Sequence, residues 1–158
     1  MSLQNELGLQ QPFNDLRHET ALNIVRTATL LTMKGAQIFR HYDLTEAQFN
    51  VLFALKFTNG DITQAELGKR LVVTRASITS VLDKLESKEL VNRKTVPGNR
   101  RIHHVELTSA GKALIDTVEP SYRAEIHKAL SGFQDGDCTT IIEYMEATRE
   151  KVQAMLNE

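Results

Sequence analysis

The stretch ITQAELGKRLVVTRASITSVLDKLESKELVNRKTVPGNRRIHHVELT, residues 62–108, decides how this chain folds. It predicts a helix over 64–71, a tight turn, a second helix over 75–87, and a two-stranded hairpin formed by 90–95 and 103–108. Thr63 with Glu66 has the spacing of a capping box, stapled by Ile62 and Leu67. Thr74 can cap the second helix, with Val73 and Ile78 as its staple. Pro97-Gly98-Asn99 marks the hairpin turn, and the tip reads Val96-Pro97-Gly98-Asn99-Arg100-Arg101. Helix, turn, helix and a basic-tipped hairpin make a winged helix-turn-helix, a unit that seats one helix in a DNA major groove.

The second helix divides by face. Ile78, Val81, Leu82 and Leu85 form a stripe to bury, while Arg75, Ser77, Thr79, Ser80, Asp83 and Lys84 lie away from its centre. Short hydroxyl side chains can meet either kind of base, and arginine forks onto guanine. Thr74, Arg75, Ser77, Thr79, Ser80 and Lys84 are therefore the expected DNA contacts of this helix, with Arg100 and Arg101 at the wing for phosphate or a narrow minor groove. The bland alternatives are a solvated helix face and a solubilising hairpin. The density of Ser and Thr, middling helix formers, weighs against the first.

Charge supports the same division. Residues 69–101 hold nine basic residues against three acidic ones, a local net charge of +6 in a chain whose total is −1. A basic lobe on an acidic remainder is the footprint of a protein that meets phosphate with one face.

Outward from this unit, the periodicity predicts a long amphipathic helix over about 14–41, opened by Pro12 and Asn14, after a loosely ordered 1–13. Its stripe of Leu16, Leu22, Val25, Ala28, Leu31, Gly35 and Ile38 calls for a neighbour. A helix over 46–57 starts at a Thr45/Gln48 capping box and ends at a Thr58–Asp61 turn. Another runs over 109–131 with a kink or break expected at Pro120, Asp135-Gly136 reads as a break, and a last helix reaches about Leu156. The expected division is 1–41 and 109–158 for dimerisation, with 42–108 as the DNA-binding lobe. The fold class is mainly α with a small β-hairpin wing.

Several classes find no support. No apolar run approaches the ~18 residues of a membrane span, and the opening MSLQNELGLQQPF lacks the regions of a secretory signal. A single cysteine, Cys138, cannot form an internal disulfide, which fits a cytoplasmic protein. His103 and His104 are strand neighbours that point apart, and no His/Cys/Asp/Glu spacing suggests a metal. There is no glycine loop for phosphates and no arrangement that asks for acid–base or nucleophilic catalysis, so neither enzyme nor cofactor is expected.

The order of helix, LTEAQFNVL, TQAELGKRLVVTRASITSVLDKLESKELVNRK, wing and VELTSAG resembles the MarR family of bacterial transcriptional regulators over nearly the whole chain. The family's wing usually reads Asp-x-Arg ahead of Leu-Thr-x-x-Gly. Here these positions are Asn99-Arg100-Arg101 and Leu107-Thr108-Ser109-Ala110-Gly111, so the family's minor-groove arginine falls on Arg101 and its aspartate is replaced by Asn99. The resemblance implies a homodimer joined by the terminal helices, reading a pseudo-palindromic operator on double-stranded DNA as a repressor. It also implies release by a small aromatic anion, for which Arg26, His41, Phe49 and Phe53 are the expected lining. The alternatives are a dimeric small-molecule or protein-binding module without DNA function, and a redox-responsive regulator that uses Cys138.

Overall fold

The computed structural model describes residues 2–58, 62–71, 74–96 and 99–158, leaving aside the side chains of Arg75, Val96, Arg100 and Arg101. Asn59–Asp61 of the expected turn, the staple residue Val73 and the Pro97-Gly98 of the tip lie outside these described residues. Two compact units result, Met1–Tyr122 and Arg123–Glu158.

In the first unit, residues 1–13 are more ordered than their sequence suggests. A short helix α1 (Leu3–Glu6) starts at Ser2 and buries Leu3. Glu6 pairs with Arg26 of the long helix α2 (Leu16–Arg40) at 3.4 Å. The cap of α2 is Asp15 rather than Asn14, because its carboxylate accepts from the N–H groups of Arg17 (2.8 Å) and His18 (3.4 Å). Helix α3 (Glu46–Lys56) opens on the expected box, with Thr45 Oγ1 accepting from Gln48 N and Gln48 Oε1 accepting from Thr45 N.

A two-residue strand, β1 (Ile62–Thr63), stands where the sequence predicts only a lead into the next helix. It joins the wing as a third strand, so the hairpin becomes a sheet of order β1-β3-β2. Ile62 pairs antiparallel with Val105, and both are buried. Helix α4 (Gln64–Arg70) follows from the Thr63/Glu66 box, and α5 (Arg75–Ser87) from Thr74. Strands β2 (Val91–Val96) and β3 (Asn99–Leu107) start and end near the expected positions, but β3 is longer. Thr95 pairs with His103 whereas Val96 pairs with Asn99, so Arg100 and Arg101 fall in a register irregularity of β3.

Helix α6 (Ser109–Ala129) runs through Pro120 without the expected break. Proline deprives a helix of one hydrogen bond and crowds one turn. Here Ile115, Val118 and Glu119, in the turn before it, are buried. The break at Asp135-Gly136 is also misplaced, since helix α7 (Asp135–Leu156) begins there. Gln134 N donates to the Asp137 carboxylate at 2.9 Å and starts the helix one residue earlier.

The core joins α2, α3, α4, α5, the sheet and the first half of α6. Phe39 stacks on Phe49 at 4.1 Å, and Tyr122 packs against both rings. Burial pushes the Tyr122 hydroxyl above its ordinary pKa. The long stripe of α2 is mostly uncovered: Gly35 and Phe39 are its buried residues, while Leu16, Val25 and Leu30 are exposed. Helix α7 buries none of its residues, and its Ile141, Ile142, Val152 and Met155 are exposed.

Candidate nucleic-acid interface

Helix α5 has the polarity expected of a reading helix. Thr74 Oγ1 accepts from Ser77 N at 3.2 Å. Ile78, Leu82 and Leu85 are all at or below 1% exposure, while Val81, expected among them, is half-buried at the margin of the stripe. Ser77, Ser80 and Lys84 are exposed along one side, as is Thr74 at the end. The side chains of Arg75, Arg100 and Arg101 lie outside the described residues.

Thr79 behaves differently from its neighbours. It is half-buried, and its hydroxyl accepts from Gln64 Nε2 at 2.6 Å. That bond ties the first turn of α4 to α5, so Thr79 serves the joint as much as the outer surface.

Arg93 carries more of the lobe than its sequence context suggested. From β2 its guanidinium reaches Glu86 through Nε at 3.0 Å and Nη2 at 2.5 Å, and Asp83 through Nη2 at 2.6 Å. Both acids stand on α5, three residues apart, so they share one face. The hydrogen bond Arg93 donates to Glu86, followed by that to Asp83, holds it further above its already high pKa, against a desolvation cost. The fork ties β2 of the wing to the recognition helix. The available signal was the Asp83/Glu86 pair at i,i+3. Its partner arginine could not be read from a one-dimensional string.

Between α4, α5 and β3 lies a cleft of about 710 Å³, lined by Gln64, Lys69, Ile78, Thr79, Arg93 and His103 among others. It touches the recognition helix on the side away from the exposed serines.

The lobe is bolted to α6 by two devices. Gly111 sits against the backbone of Leu90, where an added Cβ would come within 2.0 Å of the Leu90 carbonyl oxygen. Thr108 makes that approach possible: its N–H donates to Leu90 O (3.1 Å), its hydroxyl to Glu89 O (2.7 Å), and it accepts from Gly111 N (2.9 Å). Further along, Lys56 of α3 meets Asp116 (2.8 Å) and the buried Glu119 (2.5 Å) of α6. The bond Lys56 donates to Asp116, then that to Glu119, raises its pKa.

The residues expected to line an effector site sit in different surroundings within the chain. Phe49 is buried in the aromatic core, while Phe53 stands beside it at 5.7 Å and is exposed. His41 caps the C-terminus of α2 and is exposed, and Arg26 faces Glu6 of α1. Cys138 is a free, half-buried cysteine in the first turns of α7. Among the described residues no group of three potential metal ligands converges, and no helix is long and apolar enough to cross a membrane.

This arrangement matches known proteins. The family model described as MarR family matches residues 44–103, which take in α3 through most of β3. The transcriptional repressor NicR of Pseudomonas putida is 36% identical over 99 residues, 63% of this chain and 62% of that protein. The multiple antibiotic resistance protein MarR of Escherichia coli is 32% identical over 124 residues, 76% of this chain and 85% of that protein. The Mycobacterium tuberculosis transcriptional regulator MOSR, solved in complex with DNA, shares the fold with a TM-score of 0.72 at 22% identity, covering 85% of this chain and 96% of that one. With its helix-turn-helix lobe, three-stranded wing and long flanking helices, the chain belongs to the MarR family of helix-turn-helix transcriptional regulators.

Proposed function

We propose that the chain is a DNA-binding transcriptional repressor that acts as a homodimer on a pseudo-palindromic operator and is released by a small aromatic anion. The observation that carries this is α5. Its inner face is locked into the core by Ile78, Leu82 and Leu85, its outer face is a row of Ser77, Ser80 and Lys84, and the wing is held beside it by Arg93. Two copies related by a two-fold axis would present two such helices to half-sites about one helical turn apart. The uncovered apolar residues of α2 and α7 supply a surface for that pairing. Work on chromosomal DNA places the protein in the cytoplasm, and it assigns the chain no catalytic step.

Thr74, Arg75, Ser77, Thr79, Ser80 and Lys84 are proposed for the groove, with Arg100 and Arg101 for the wing. For the effector, Arg26, His41 and Phe53 remain the proposed set on the dimer side, with Phe49 forming the wall behind Phe53. The cleft beside Thr79 and Arg93 favours a second location. It has the volume for an aromatic acid, and a ligand there would disturb the Gln64–Thr79 joint between α4 and α5. Either way, release follows from the ligand's greater affinity for a form whose half-site spacing misses one DNA turn.

The test is a salt titration of binding to a duplex selected by the protein from a random pool. A DNA reader loses affinity steeply and linearly in log–log terms as salt rises. Arg101→Ala should weaken binding to that duplex. A wild-type protein that selects no sequence and shows no salt dependence would remove the proposal in favour of a binding module without DNA function.

A further inference from the structure

We infer that a shallow cleft at the far end of α5, where Arg40 and Lys84 come together, is a clamp for a DNA backbone phosphate. This rests on the DNA-binding reading above and extends it past the reading face, whose last residue is Lys84, to Arg40 of α2. The cleft holds about 360 Å³ and is lined by Arg40 at the end of α2, by Asp43, Leu44, Thr45 and Gln48, and by Lys84, Ser87 and Lys88 of α5.

Three observations carry it. The first is charge. The lining has three cations and one carboxylate, and Asp43 is occupied, since Lys88 Nζ donates to its carboxylate at 2.7 Å and to its main-chain oxygen at 2.5 Å. Arg40 and Lys84 are exposed and have no carboxylate partner among the described residues. The second is rigidity. Asp43 takes a left-handed backbone (φ 52°), and the Lys88 bonds tie that bend to the C-terminal end of α5. The side chain of Arg40 is thus carried by a turn fixed to the recognition helix itself. The third is continuity. Ser77, Ser80, Lys84 and Ser87 follow one another at three- and four-residue steps, so the cleft begins where the reading face ends. Ser77 to Ser87 covers about 15 Å of helix axis, against a major groove about 12 Å wide. A helix that enters by its N-terminal half therefore brings its last turn level with the flanking sugar–phosphate strand.

The N-terminus of α3 is not the source of binding. Thr45 and Gln48 already satisfy each other there. The clamp is cationic, and it positions the protein on the duplex without reading a base.

The experiment compares the full-length wild type with Arg40→Ala and Arg40→Lys on the selected duplex and on a mixed-sequence duplex, across a salt series by fluorescence anisotropy. Arg40 is exposed, so unchanged thermal melting is expected of both variants and is checked. Arg40→Ala should bind both duplexes several-fold more weakly, by the same factor, with the log–log salt slope smaller by about one per protomer. Arg40→Lys should keep the wild-type slope. A wild-type slope in Arg40→Ala, or a loss confined to the selected duplex, overturns the clamp while the DNA-binding assignment stands. Salt-independent behaviour of the wild type itself overturns both.

Discussion

At the residue scale, Gly111 and Glu66 show how one position can be held by one atom. Gly111 lies where α6 starts, and an added Cβ there would stand 2.0 Å from the Leu90 carbonyl oxygen. The obstacle is backbone at the head of the wing, which cannot swing aside as a side chain would. Gly111→Ala should therefore cost about 1–3 kcal/mol of stability or more, read as a lower denaturant midpoint. A change under about 0.5 kcal/mol, the range of ordinary surface substitutions, would show that the junction yields. Glu66 accepts from the Thr63 hydroxyl at 2.7 Å and from Thr63 N at 2.9 Å. The hydroxyl bond first, then the backbone bond, lowers its pKa below the ordinary 4.5. A depressed folded-state pKa gives stability that is present above the ordinary value and is lost as pH falls through the folded one. Glu66→Gln should thus narrow its stability gap to wild type as the solution is acidified below about pH 4.5. A gap that stays constant down to pH 3 would deny the carboxylate this role.

At the element scale, local grammar and remote contacts divided the work. The caps at Thr45, Thr63 and Thr74 were legible because each joins a hydroxyl to an N–H three residues on, a distance the helix itself determines. The third strand was not. Ile62 and Thr63 look like the lead into a helix, and their pairing with Val105 and His104 joins residues some forty positions apart. At Pro120 the helix continues without a break, as a proline-kinked helix can, with buried neighbours one turn before it. Arg93 is the element-scale contact with the sharpest consequence. Arg93→Met would leave Asp83 and Glu86 without their shared partner and remove the charged tie between the wing and α5. We expect a stability loss of about 1.5–3 kcal/mol for these charged hydrogen bonds, together with weaker DNA binding. Wild-type affinity in a folded Arg93→Met protein would show that the wing needs no such tie.

At the scale of the whole molecule, the exposed apolar residues of α2 are the feature a lone chain leaves unexplained. Val25, at 63% exposure, lies in the middle of that helix. Val25→Glu places a charge where a second copy would bury a methyl-bearing side chain, and charge without a partner is costly to bury. Sedimentation should show a shift from dimer toward monomer, and the DNA salt slope should fall with the loss of one set of phosphate contacts. A Val25→Glu protein that remains fully dimeric would move the interface away from this part of α2.

The sequence by itself determined the helix-turn-helix, its start points, the polar face of α5 and the basic character of residues 69–101, because these follow from spacing within one or two helical turns and from composition. Tertiary structure alone decided which side chains face outward and which take a partner inside the fold. Thr79 went to Gln64, Arg93 to Asp83 and Glu86, Lys56 to Asp116 and Glu119, and Phe49 into the aromatic core. Each of these pairings depends on two segments arriving at the same place with the right orientation. Neither residue's local surroundings carry that information, since a cation or a hydroxyl has the same local propensity whether its partner is solvent, a carboxylate on the next helix, or DNA.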